Sequence, residues 1–276
     1  MSQIAGYWVK IPSVSSTSDI KFYVYYGKPD AADGALPTSV WDSNFKAVWH
    51  LKESGRGTPN DFQDSTSNYN HGQGEKGTSI KSPTQTEGKI GKGQQFDGVN
   101  DCIALPDPLN NFNPQIGFTI EAWVKTNIIN PRQNKRIYFQ ANAARTSLLL
   151  MDDTDDFRFE INDTEGGEWK GQNYSGVVPG TYYYLVGMWA KEGSLRLYVN
   201  GNQVGRDIST REALTGNTPP PRIGCNRGTV KEFEYWNGII DEIRISNTAR
   251  SAEWIKASFY SGNNTLLRYG RQEIYN

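Results

Sequence analysis

Asp64-Ser65-Thr66-Ser67-Asn68-Tyr69-Asn70 sets oxygen-bearing side chains at alternate positions, beginning with a carboxylate. A loop wound around a hard cation uses that spacing, because Ca²⁺ takes six to eight oxygens at roughly 2.3–2.6 Å. The loop is no EF-hand, since Tyr69 stands where that motif needs glycine. The same residues suit an Asx-turn loop whose side chains hydrogen-bond their own backbone, and spacing leaves both readings open. A second candidate is acidic: Glu160 and Glu165 lie in one segment, and two carboxylates held about 5–5.5 Å apart can act as nucleophile and acid/base. Yet Asp163-Thr164-Glu165-Gly166-Gly167 reads as a solvated turn that takes Glu165 off the strand face. The third candidate is aromatic. Sugars offer flat C–H faces to Trp and Tyr and polar edges to Arg, Asn and Asp. Trp169, Tyr174, Trp189, Arg196 and Tyr198 are the expected ligand-binding set, with Tyr182 and Arg158 near them and Trp169 the most loop-like. Trp49, Trp123, Trp236 and Trp254 are assigned to the core.

These side chains need a scaffold, and the chain spells one in short alternating segments separated by Gly, Asn, Asp and Pro. Tyr7 to Ile11 and Ile20 to Tyr26 read as an N-terminal hairpin. Phe118 to Lys125, Ser147 to Met151, Phe157 to Ile161 and Ile239 to Ile245 read as strands. Tyr182 to Ala190 and Leu195 to Val199 form a hairpin with Leu195, Leu197 and Val199 on one face and Arg196 and Tyr198 on the other. Asn200-Gly201 supplies a type I′ turn into Gln203-Val204, and Gly72 to Gly93 reads as a long polar loop or weak strand pair. One helix is expected over Ser251 to Phe259, capped by Ser251 and presenting Trp254, Ile255 and Phe259.

Composition removes several classes of function. Among 276 residues, 29 Lys+Arg face 30 Asp+Glu, for a net charge of −1, and no basic block appears. Nucleic acid is therefore excluded as the main partner, since backbone binding needs excess cation to release counterions. No apolar run approaches the length of a membrane span, and Met1 to Val9 has no signal-peptide pattern. Two cysteines and two histidines exclude a zinc cluster or a Cys/His triad; His50 reads as structural, and His71 belongs to the candidate cation loop. Cys102 and Cys225 are either a disulfide or two small buried hydrophobes. No phosphate-loop glycine pattern opens a helix.

Six segments carry a resemblance. Val48-Trp49-His50-Leu51, Asp64 to Gly72 and Gly91 to Asp101 come first; Phe118 to Val124, Leu197-Tyr198-Val199-Asn200-Gly201 and Gly238 to Ile245 follow in order. Together, over roughly Ala47 to Phe259, the chain resembles the laminin-G-like, concanavalin-A-like jelly roll. The resemblance implies an all-β fold, a two-sheet antiparallel sandwich, here with the short N-terminal hairpin and one short C-terminal helix. It also implies a structural Ca²⁺ between the loop and the acidic strand, giving Asp64, Asn68 and Asp241 as the expected metal residues. Glycoside hydrolases of this broad fold carry Glu-x-Asp-x-(x)-Glu, and Asn162 replaces the central Asp here. Tyr7 to Pro29 is similar to the C-terminal tail of a β domain that precedes such modules in bacterial and archaeal surface proteins.

The expected organisation is a β head and linker over 1–45, a jelly roll over 46–262 and a tail over 263–276. The expected function is a non-catalytic carbohydrate-binding or adhesion module, extracellular or at a cell surface, with a glycan or surface polysaccharide as partner. The alternative is a virion or surface-assembly component that oligomerises through its N-terminal strands; a glycoside hydrolase using Glu160 and Glu165 is the weaker third.

Overall fold

The computed structural model describes residues 6–13, 15, 17–74, 81–106, 109, 117–129, 134–140, 145–150, 154–162, 169–210, 221–226 and 234–271. In chain order the strands are β1 (Phe45–Trp49), β2 (Gln73–Gly74), β3 (Thr84–Glu87), β4 (Lys92–Asp97), β5 (Ile103–Ala104), β6 (Phe118–Thr126), β7 (Lys135–Gln140) and β8 (Arg145–Leu150). They continue with β9 (Phe157–Asn162), β10 (Trp169–Tyr174), β11 (Tyr182–Ala190), β12 (Ser194–Val199), β13 (Asn202–Ser209), β14 (Arg222–Ile223) and β15 (Asn237–Ser246). Helix α1 (Pro37–Val40) is a single turn, and α2 (Ala252–Gly262) follows β15.

Every described pairing is antiparallel, and two sheets result. One has eight strands, ordered β13-β12-β11-β6-β15-β4-β3 with β1 also on β15; the other has seven, ordered β10-β9-β8-β7-β14-β5-β2. This is the expected all-β jelly-roll sandwich. Strand alternation builds the core between the sheets. Leu185, Trp189, Leu195 and Leu197 point into it from one sheet, and Phe157, Phe159 and Ile161 from the other. Gly187 has to be glycine, because a Cβ there would come within 2.2 Å of the Phe159 ring.

Part of the outer face of the eight-stranded sheet is closed to water. Trp123, Tyr184, Val186, Met188 and Tyr198 form a second cluster there, closed by Ile255 of α2. Ser251 caps that helix by accepting the Trp254 N–H at 3.2 Å, as its sequence position predicts. Asn200 and Gly201 turn the chain with φ of 51° and 79°, the signs a type I′ turn requires. Cys102 and Cys225 are disulfide-bonded with Cα atoms 5.4 Å apart, which resolves that open pairing.

The N-terminal hairpin needs correction. No strand forms among the described residues before β1, and Tyr23, Tyr25 and Tyr26 are more than two-thirds exposed. The aromatic alternation over Ile20 to Tyr26 supplies β propensity without a partner strand, and an isolated pair is marginal in water. The second correction is α1, a short helical turn that Pro37 opens and that sequence reading did not anticipate.

Candidate functional site

On β9 the alternation that buries Phe157, Phe159 and Ile161 sends Arg158, Glu160 and Asn162 to the opposite side, the outer face of the seven-stranded sheet. A polar ladder crosses that face. Glu160 accepts from Arg136 Nη1 of β7 at 2.9 Å through one oxygen and from Arg158 Nε at 2.8 Å through the other. Arg136 also donates through Nε to Glu234 at 2.5 Å, and Asn226 donates to the same carboxylate at 2.9 Å. Arg158 Nη1 reaches across to Asn173 Oδ1 of β10 at 2.7 Å, and Asn173 Nδ2 donates to Asp156 at 3.0 Å. Gly171, opposite Glu160, makes that crossing feasible: a Cβ would lie 2.8 Å from Arg158 Nε.

Arg136, Glu160 and Asp156 are each less than a tenth exposed although they face away from the core. Burial alone would lower the affinity of Arg136 for its proton, but Glu234 and Glu160 overcompensate and push its pKa up. The ladder is therefore a fixed array of charges, with Arg158 Nη2 left without a hydrogen bond among the described residues. At one end, Trp169 pairs in register with Asn162 on the edge strand β10 and is half-buried. The arrangement joins an aromatic platform to prealigned donors and acceptors, the chemistry of a sugar-binding surface. It is poorly suited to hydrolysis, because both Glu160 oxygens are engaged by guanidinium groups. Glu165 lies outside the described residues.

The expected ligand set is only partly brought together. Trp169 and Tyr174 share β10 but not a face: Trp169 is on the outer face, and Tyr174 turns inward against the core, 6.1 Å from the Tyr183 ring. Trp189 is a correction: it is fully buried against Phe118, and its indole N–H donates to Thr210 at 2.9 Å. Tyr198 is another, being 2% exposed beneath the α2 layer. Arg196 lies on that same side of β12, paired with Asp207. Trp189 alternates into the core, whereas Tyr198 faces outward where α2 covers part of the sheet.

The cation loop resolves into hydrogen bonds. Asp64 Oδ1 accepts the N–H groups of Val48 and Thr66, each at 2.9 Å, while Oδ2 accepts Thr66 Oγ1 at 2.8 Å and the Asn70 N–H at 2.9 Å. Asn68 points its Nδ2 donor at the Phe45 and Lys46 carbonyls. Asp241 Oδ2 accepts the Lys89 and Ile90 N–H groups at 2.8 and 2.9 Å; only its Oδ1 has no partner. Burial and the neighbouring Glu242 charge push the Asp241 pKa well up. Among the described residues no three His, Cys, Asp or Glu side chains gather to hold a metal. Both Asp64 oxygens are thus taken by N–H and O–H donors, whereas Asp241 keeps Oδ1 without a partner.

His50 is held in a part-buried contact, as its strand context implies, and His71 braces the Asp64 loop. His71 Nδ1 accepts the Asp64 N–H at 2.9 Å, and His50 Nδ1 meets Glu242 at 2.7 Å. The Arg136–Glu160–Arg158 ladder is what sequence reading missed. Its signal was present in the Arg-Phe-Glu-Ile-Asn alternation of Arg158 to Asn162, but the partners Arg136 and Glu234 are remote in the chain.

Residues 97–256 match the sequence profile of the concanavalin A-like lectin/glucanases superfamily. No curated protein sequence matches the chain. Among solved structures, domain 4 of the Geobacillus stearothermophilus GH43 extracellular arabinanase AbnA, in complex with arabinotriose, is 19% identical with a TM-score of 0.59. That similarity covers 77% of this chain and 97% of the domain. The binding domain of botulinum neurotoxin DC, in complex with SialylT, is 12% identical with a TM-score of 0.56, covering 80% of this chain and 52% of its own. The binding domain of Paraclostridial mosquitocidal protein 1 is 14% identical with a TM-score of 0.58, covering 79% and 52%.

Proposed function

The chain belongs to the concanavalin A-like lectin/glucanases superfamily, and from that premise we propose that it is a non-catalytic carbohydrate-binding module whose glycan lies on the outer face of the seven-stranded sheet. The observation that carries the reading is the Arg136–Glu160–Arg158–Asn173 ladder beside Trp169. Rigid donors and acceptors bind a polyol without first being ordered, and Trp169 supplies a stacking face. Arg158 is the contact best placed to recognise a hydroxyl or ring oxygen, through its open Nη2. Support for the ligand class comes from the arabinotriose and SialylT complexes named for two structural relatives. Support for an extracellular setting comes from the arabinanase, named as extracellular. Calcium takes no part in this reading.

A glycan array probed with the whole chain tests it. Binding to a defined set of oligosaccharides is expected, falling at least tenfold in Trp169→Ala and Arg158→Ala, with no release of reducing sugar. Turnover abolished by Glu160→Gln would instead favour a hydrolase. A second reading, surface assembly, draws on one observation: the exposed apolar side chains of Ile20 to Tyr26. Light scattering that shows a defined oligomer, lost on deleting residues 1–27, would favour it.

A further inference from the structure

The Asp64–Asn70 loop is not consumed by the outer-face site, and its outward residues form one wall of a separate cleft of about 340 Å³. Trp41, Asp42, Lys46, Thr66, Ser67 and Asn68 all line that cleft. We infer that this cleft is a second ligand site, for a single neutral pyranoside residue. Its volume is at the lower end of the range for small-molecule sites, about 300–1,000 Å³, which suits one or two sugar rings rather than a long chain.

The cleft has the parts such a ligand requires. Trp41 is a half-buried aromatic wall, held by Phe45 edge-on at 5.1 Å and by the Arg244 guanidinium 5.4 Å from its ring centre. Polar groups surround it in fixed positions. Arg250 grips both Asp42 oxygens at 2.7 and 3.1 Å, and Asp42 also accepts the Asn44 N–H at 2.8 Å. Lys46 Nζ donates to the Ser43 carbonyl at 2.7 Å, and the Asn68 amide is tied to the β1 backbone. Asp42 and Lys46 each keep further hydrogen-bonding capacity, and Ser67 adds a hydroxyl at the rim. Arg250 neutralises the Asp42 carboxylate, and a flat aromatic wall beside hydrogen-bonding groups suits a polyol, which presents both C–H faces and hydroxyls.

This site is independent of the outer-face reading. The cleft adjoins β1, which hangs on β15, whereas β10 packs against β12 and β13. From β1 to β12 there are four strand spacings, roughly 19 Å. One sugar residue cannot span that distance.

The test is an NMR titration of the isotopically labelled whole chain with the methyl pyranosides of glucose, galactose, mannose and xylose. The Asn68 amide and the Trp41 indole N–H are the reporters. Saturable shifts with at least one glycoside are expected, with affinity weakened tenfold or more by Ser67→Trp, which fills the rim. Trp41→Ala, followed at the Asn68 amide, gives a second variant should the first fail to fold. Trp169→Ala leaves the response unchanged. No shift with any of the four, or shifts indifferent to both cleft variants, overturns the inference. A response at Asn68 without array binding at Trp169 overturns the outer-face reading alone, and the converse overturns this one alone.

Discussion

Replacing Glu160 by Gln tests whether the ladder is the rigid, desolvated array that a preformed binding face requires. The carboxylate is 10% exposed, Arg136 is 7% and Arg158 is 18%. Its two charge-assisted hydrogen bonds, at 2.9 and 2.8 Å, are each worth about 1.5–3 kcal/mol. Glutamine keeps one acceptor oxygen and turns an NH₂ donor toward the other guanidinium, so one bond is lost and the other loses its charge. Breaking one side of a buried ion pair costs about 3–5 kcal/mol. Arg136 retains Glu234 and Arg158 retains Asn173, which places the expected loss near the lower end, about 3 kcal/mol. For a chain of this size that is a fall in melting temperature of roughly 6–12 °C. Calorimetry and urea unfolding at pH 7 read it directly. A loss below about 1 kcal/mol, the value of an exposed surface pair, would refute the buried ladder and with it the preorganisation argument.

Removing the disulfide with Cys102→Ser and Cys225→Ser frees a separation of 123 residues, so the chain-entropy model gives a loss of about 5 kcal/mol in urea unfolding; an unchanged midpoint would contradict it. Asp101 is raised to about 6 by burial, with Asp97 adding repulsion, whereas its unfolded value is 3.8. Between those values the unfolded chain binds fewer protons, so this residue makes stability fall as pH rises from about 4 to about 6. Asp101→Asn removes that slope and is expected to be the more stable form above pH 6; parallel pH profiles for the two proteins would count against the shift. EDTA is expected to leave the melting temperature unchanged, since Asp64 is already saturated with donors; a clear fall would show that a metal holds the loop.

The sandwich was legible because its strongest strands satisfy local and global requirements together. Tyr182–Ala190 and Ser194–Val199 alternate in sequence, and the inward set Leu185, Trp189, Leu195 and Leu197 meets the second sheet. Ser251 marks α2 for an equally local reason, a side-chain oxygen at the right place for a cap. The site was less legible because exposure is a tertiary property. Tyr198 has the sequence position of a surface residue, but α2 covers it; Trp189 alternates into the core beside Phe118. The Asp64 loop shows the complementary failure, since oxygen spacing is shared by cation loops and Asx turns and only the direction of each N–H separates them. Ile20 to Tyr26 has strand chemistry but no neighbouring strand among the described residues.

The central claim concerns where a glycan sits. A crystal structure of the whole chain with the oligosaccharide that binds best on the array addresses it without relying on loss of function. Sugar density stacked on Trp169, with a hydroxyl or ring oxygen within hydrogen-bonding distance of Arg158 Nη2, is the predicted result. Density found only away from β9 and β10, with the Arg136–Glu160–Arg158 face bare, would contradict the account.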